Sequence, residues 1–249
     1  MHQDVTDLRD FYARPMGQIA RRVLRRRIRA HWPNLKGQTV IGLGFASPYL
    51  GSFRGEARRI GALMPATQGA LVWPSKGDAM SVLVEEERLP LPDNAVDRLL
   101  AIHCLETAER VRPLLREMWR VLAPDGRLLM IVPNRRSMWA RLDHTPFGHG
   151  RPYSRGQLEK MLGDALFTPI DWTYALHMPP FERKFVLRQA ANFERLGTRV
   201  TPTFGGVIMV EAKKEVMAPI KPGLKVARAL PAKGRLVAAG GKPRTIEPK

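Results

Sequence analysis

The fold class this chain predicts is an α/β domain, with an open and mostly parallel sheet covered by helices on both faces. Three observations predict it. From Thr39 onward, short apolar runs alternate with amphipathic stretches, as βαβ units require. The stretch Asp97–His103 is almost continuously apolar, which suits a strand buried on both faces. At 249 residues, 44% hydrophobic and 26% charged, the chain is long enough for one large core without covalent staples.

The elements follow in order. Residues 13–31 read as a helix with Met16, Ile19, Ala20, Val23 and Leu24 on one side. Arg14, Arg21, Arg22, Arg25, Arg26 and Arg29 lie on the other, and Arg27 intrudes on the apolar side. Pro33-Asn34 closes this helix. Thr39–Leu43, Gly69–Trp73, Ser81–Val84 and Asp97–His103 read as the first four strands. A helix over Ala108–Leu122 carries Val111, Leu114, Leu115, Met118, Val121 and Leu122 on one face, and Pro124-Asp125-Gly126 turns the chain into a fifth strand, Arg127–Val132. Ser154 caps a helix through Ala165, and Phe167–Leu176 and Gly205–Ala212 complete seven strands as an antiparallel edge.

Charge is the unusual property. The formal net charge is +18, and it is uneven. Seven arginines (14, 21, 22, 25, 26, 27 and 29) stand uncompensated in one stretch, and residues 216–249 hold eight Lys or Arg against the single acid Glu247. Such ends suit a polyanion, whether nucleic acid or an anionic membrane surface, or they serve solubility alone. The last segment, rich in Pro, Gly, Ala, Lys and Arg without periodicity, reads as a disordered tail. The expected organisation is a basic helical extension over 1–36, a domain over 37–215 and a basic tail over 216–249. The one cysteine, Cys104, allows no internal disulfide, and no apolar run approaches the roughly 18–20 residues of a membrane span. No apolar signal segment opens the chain, so a cytoplasmic setting is expected. The histidines lack the paired spacing of a metal motif.

One longer motif series stands out. Glu85-Glu86-Glu87-Arg88-Leu89-Pro90-Leu91-Pro92-Asp93-Asn94-Ala95-Val96-Asp97 is followed by Ile102-His103-Cys104-Leu105-Glu106. Then come Leu115-Arg116-Glu117-Met118-Trp119-Arg120-Val121-Leu122-Ala123-Pro124-Asp125-Gly126 and Val132-Pro133-Asn134. In register over some fifty residues, the series resembles class I S-adenosyl-L-methionine (SAM) dependent methyltransferases. The resemblance implies a Rossmann-like, seven-stranded, mostly parallel sheet and SAM as cofactor. It implies that Glu85 stands where an acid meets the adenine amino group, that the backbone at Glu86 touches the adenine ring, and that His103 faces the methionine portion. As packing, His103 reads equally well.

The first loop departs from that family. Val40-Ile41-Gly42-Leu43-Gly44-Phe45-Ala46-Ser47-Pro48 keeps Gly44, which lets the backbone turn close to a cofactor, but has Gly42 where the family has an acid and Ala46 and Pro48 where it has glycines. The family's ribose-binding acid is also missing from the expected second strand end, Val72-Trp73-Pro74-Ser75, where Trp73 stacks on adenine or joins the core. The expected cofactor residues are Gly42, Gly44, Phe45, Ala46, Trp73, Glu85, Glu86 and His103.

After the fifth strand, the segment from Pro133 to Ser154 resembles the variable region that closes over the acceptor, and a bacterial, alphaproteobacterial subgroup in which the altered loop recurs. Asn134, His149, Arg151 and Tyr153 are its candidate substrate-binding residues, with His149 or Tyr153 able to take a proton in suitable surroundings. The resemblance implies a methyltransferase whose acceptor the sequence does not name. The alternative is a catalytically inactive, methyltransferase-like regulatory or scaffold protein that docks on RNA or another polyanion through Arg14–Arg29 and the tail.

Overall fold

The computed structural model describes residues 3–216, and the expected disordered tail lies almost wholly outside them. Seven strands form one sheet: β1 (Thr39–Gly44), β2 (Arg59–Pro65), β3 (Ser81–Val84), β4 (Val96–Ile102), β5 (Leu122–Pro133), β6 (Phe167–Ala175) and β7 (Val207–Lys214). Their spatial order is β3-β2-β1-β4-β5-β7-β6. The first five are parallel, and β7 runs antiparallel to both of its neighbours, β5 and β6. The predicted fold class and antiparallel edge are both present. Strand order reverses between β1 and β4, and the crevice outside their carboxyl ends is where open α/β sheets receive ligands.

One strand lies elsewhere than predicted. The second is Arg59–Pro65, not Gly69–Trp73, which is turn and loop. Arg59, Gly61 and a terminal proline disguise β2, yet Ala62, Leu63 and Met64 are buried. The loop at 66–80 is what carries the apolar residues mistaken for it. Pro124-Asp125-Gly126 is likewise no separate turn but a bulge inside β5, whose register jumps from Val96↔Leu122 to Arg98↔Arg127.

Among the helices are α1 (Val5–Ala13), α2 (Pro15–His31), α3 (Ser47–Leu50), α4 (Val111–Val121), α5 (Arg155–Asp164), α6 (Lys184–Arg188) and α7 (Ala190–Val200). Ser154 caps α5 through a reciprocal capping box with Gln157. Arg120 of α4 binds the carbonyls of Leu89 and Leu91 and the carboxylates of Glu117 and Asp93, which explains why the Leu-Pro-Leu-Pro-Asp segment lies flat against that helix.

Helices α1 and α2, expected as a basic helical extension, contribute to the core. Val5, Leu8, Phe11 and Tyr12 of α1 and Met16, Ala20, Leu24 and Ile28 of α2 are buried in one cluster with Phe45, Leu100, Ile102 and Ile131. Asp4 caps α1 by accepting from the Thr6 amide at 2.7 Å. Gly17 allows the corner between the two helices, since a Cβ there would lie 2.0 Å from the Phe11 carbonyl oxygen. The arginine face of α2 stays in solvent, with Arg21, Arg22, Arg25 and Arg26 exposed. Arg27, half-buried, donates to the Thr198 hydroxyl of α7 at 3.0 Å.

Candidate functional site

The residues following β1 and β4 meet at the switch point. Gly44 takes φ +81°, and a Cβ there would lie 2.2 Å from the Ile102 carbonyl oxygen. This glycine is required by the close passage of the two strand ends. Phe45 then donates its amide to that same carbonyl at 2.9 Å. His103 follows β4 in the left-handed region at φ +52°, which turns the chain and sends its wholly buried imidazole into the crevice.

That crevice is filled by α1. Tyr12 lies nearly parallel to Phe45, ring centroids 5.7 Å apart, and meets His103 edge-on at 5.8 Å. Its hydroxyl is 2.8 Å from His103 Nε2 and accepts from the Tyr49 hydroxyl at 2.9 Å. Burial pushes the Tyr12 phenol well above its ordinary range, reinforced by the nearby Tyr49, and burial raises Tyr49 too. On the far side of the ring, His103 Nδ1 stands 3.4 Å from Glu106 Oε1 without an aligned hydrogen bond. Both carboxyl oxygens of Glu106 are buried without a hydrogen bond, a costly arrangement in an apolar setting. Gln68, just past β2, donates its side-chain amide to the His103 carbonyl and, at 2.9 Å, to the Thr107 hydroxyl, and its backbone carbonyl accepts from the Val5 amide. The first turn of α1 is thereby tied to the end of β2.

Of the expected cofactor residues, Gly42, Gly44, Phe45, Ala46 and His103 come together here. Gly42 has no room for the missing acid, because a Cβ would lie 2.5 Å from Ala46 Cβ and 2.8 Å from Leu50 Cδ1. Glu85 and Glu86 follow β3. Glu85 is exposed, whereas Glu86 is half-buried, and burial, helped by Glu109 and Glu87, pushes its carboxyl up to about 7. Trp73 is not at a strand end. It is half-buried against the core and lines an open cavity of about 610 Å³ beside the crevice, with Tyr12, Phe45, Arg9, Arg21 and Arg54.

The expected substrate residues divide. Asn134 is buried and donates to the carbonyls of Thr203 and Gly205, so it pins the loop before β7. Tyr153 is buried, donates to the Leu105 carbonyl at 3.1 Å and is pushed up to about 12, first by burial and then by Glu106. Arg151 is exposed and uses its backbone amide, 2.8 Å from the Glu106 carbonyl. His149 lines a separate cavity of about 230 Å³ with Asp7, Asp10, Arg14 and His144. Sequence reasoning missed Tyr12, Gln68 and Glu106. Glu106 carries a signal, an acid four residues past an apolar strand, whereas Tyr12 belongs to α1, a helix absent from the sequence reading, in which the 13–31 helix corresponds to α2.

Residues 63–130, which run from β2 into β5, match the family model described as a methyltransferase domain. No curated protein matches the chain. Among solved structures, a SAM-dependent methyltransferase from Thermotoga maritima superposes with a TM-score of 0.64 at 15% identity, over 85% of this chain and 96% of that one. The 1,6-didemethyltoxoflavin-N1-methyltransferase of Burkholderia thailandensis, with bound S-adenosylhomocysteine, superposes at 0.52 and 17% identity, over 83% and 82%. The [4+2]-cyclase SpnF superposes at 0.54 and 20%, over 78% and 81%. The fold is therefore the Rossmann-like methyltransferase fold, which serves more than one chemistry.

The crevice suits SAM in one respect and not in another. A buried acid whose oxygens make no hydrogen bond, Glu106, stands beside it, which is the acceptor a cationic ligand needs. The volume is taken by Tyr12 for as long as α1 is docked.

Proposed function

We propose that this methyltransferase-fold chain is a SAM-dependent methyltransferase whose cofactor crevice is closed by its own helix α1. The observation that carries the reading is the methyltransferase-domain match over 63–130, which takes in β4, one of the two strands that frame the crevice. When bound, SAM supplies an already activated methyl group, so the chain need only hold and orient its partners and keep water out. Glu106 would hold the amino group of the methionine portion, the task for which Gly42 has no side chain. Phe45 and His103 would line the same portion once Tyr12 has left, and the half-buried Glu86 would sit on the adenine side.

Opening has a cost. Four buried apolar side chains on α1, at about 1.5–3 kcal/mol each as an upper bound, hold it in place. Every 1.4 kcal/mol of opening lowers the apparent affinity about tenfold.

A second reading, a non-catalytic regulatory or scaffold protein, is favoured by the filled crevice and by the packed position at Gly42. Calorimetric titration of the full chain with SAM and with S-adenosylhomocysteine separates the two. Micromolar binding, about −8 kcal/mol, supports the enzyme. A folded protein that gives no heat at millimolar ligand overturns it and leaves the scaffold reading.

A further inference from the structure

Five large apolar side chains between residues 181 and 204 face solvent: Phe181, Phe185, Leu196, Val200 and Phe204, the middle three 70%, 62% and 68% exposed. They sit on α6, on α7 and on the segments flanking them, elements that touch one another in sequence order. Leu187 and Phe193 anchor the two helices to the core, so the exposed set is surplus to folding. Leu196 and Val200 lie one turn apart on α7 and form a stripe with Phe193. Arg195 and Arg199, also one turn apart, run beside that stripe, and Arg183, Lys184 and Arg188 surround Phe185. Within 181–204 the only exposed acid is Glu182, because Glu194 is turned inward against His177. The bond from Arg27 to Thr198 joins this surface to α2, whose Arg22 and Arg26 are exposed.

We infer that this surface docks on an anionic phospholipid bilayer, with the apolar stripe at the headgroup boundary and the arginines on lipid phosphates. Amphipathic helices that lie in a membrane interface combine apolar side chains and cations in this way. A nucleic acid would engage the arginines but gain nothing from exposed Leu196 and Val200. A second copy packed face to face would set arginine against arginine. Among the described residues no helix is long and apolar enough to cross a membrane, so the contact is peripheral.

Flotation of the full chain with vesicles of phosphatidylcholine alone, or of phosphatidylcholine with phosphatidylglycerol, tests this. The protein is expected to float with the anionic vesicles and to stay behind with the neutral ones. The variant Phe185→Ser/Leu196→Ser/Val200→Ser changes only exposed positions, and its circular dichroism is expected to match the parent. Its bound fraction on anionic vesicles should fall by about tenfold or more, because apolar insertion is lost. Arg195→Gln/Arg199→Gln should release the protein at lower salt. Parental flotation by the serine variant would overturn the inference, since charge alone, including that of residues 217–249, would then explain the attraction. Failure of the parent to float, or equal displacement of parent and serine variant by RNA, would overturn it as well.

Discussion

Tyr12 and His103 stand 91 positions apart in the chain, and their side chains meet 2.8 Å apart at the bottom of the crevice. This contact joins the N-terminal helix to the end of β4, so on the proposed reading the helix and the cofactor would compete for the same atoms of the protein.

The competition has a measurable signature. Tyr12→Ala should cost about 3 kcal/mol of stability in urea unfolding, as other large-to-small changes in a core do. The same variant should bind S-adenosylhomocysteine more tightly than the parent by calorimetry, because opening has become easier. Tyr12→Phe, which keeps the ring and drops the hydroxyl, should fall between the two. Lower affinity in Tyr12→Ala would show that the ring supports the ligand and does not exclude it.

Glu106 should behave in the opposite sense. Its carboxyl oxygens are buried without hydrogen bonds. Glu106→Gln should therefore raise stability by about 1–2 kcal/mol, or roughly 2–4 °C in melting temperature for a chain of this size. It should also weaken SAM binding by about tenfold or more. A purely structural role would move the melting temperature and leave the titration unchanged.

Gly44 is a poor place to probe ligand contact directly. With φ +81° and the Ile102 carbonyl oxygen 2.2 Å from any Cβ, Gly44→Ala should lose at least about 2 kcal/mol of stability. The expected result is a lower denaturation midpoint with the ligand absent. A variant as stable as the parent would refute the close passage of β1 and β4.

Glu86 predicts a dependence on pH. Burial raises its folded-state value to about 7, above that of the unfolded chain. The folded state therefore binds the proton more tightly between roughly 4.5 and 7, and its contribution to stability is full at the acid end and lost as pH rises through 7. The melting temperature should fall from about pH 5.5 to pH 8.5 in the parent, and the fall should be shallower in Glu86→Gln. Parallel curves for the two proteins would mean that Glu86 is not the group responsible.

Asn134 tests the reassignment from substrate contact to loop anchor. Its side-chain amide binds the carbonyls of Thr203 and Gly205, and Asn134→Ala leaves both without that donor. A loss of about 2–4 kcal/mol is expected, together with faster amide exchange over residues 202–206. Unchanged exchange there would restore a role at the ligand.

The sheet was legible because its signals are local. An unbroken apolar run marks β4, proline spacing marks the approach to it, and a serine with a glutamine three residues later marks the start of α5. The strand β2 was not legible, since Gly61 and Pro65 interrupt its pattern while the apolar 69–73 loop mimics a strand. The crevice itself was half legible. Gly44 and His103 announce it by position. What occupies it could not be read, because α1 reaches it only through tertiary packing between Tyr12, Phe45 and a histidine far away in the chain. Nothing around Glu106 in the sequence says that its carboxyl is left without a hydrogen bond, and the arginine pattern of α2 hides how firmly its other face is built into the core.

The antiparallel run of β7 has a practical consequence. Lys213 pairs with Arg127, midway along β5, and Val207 with Pro133 at its finish. The last residues of β7 therefore lie at the end of the sheet away from the crevice, while Gln3 and α1 lie on the crevice side. A dye or resin linker attached at Glu215 would sit on the side away from α1. The same handle placed ahead of Gln3 would ride on the very helix whose movement it was meant to record.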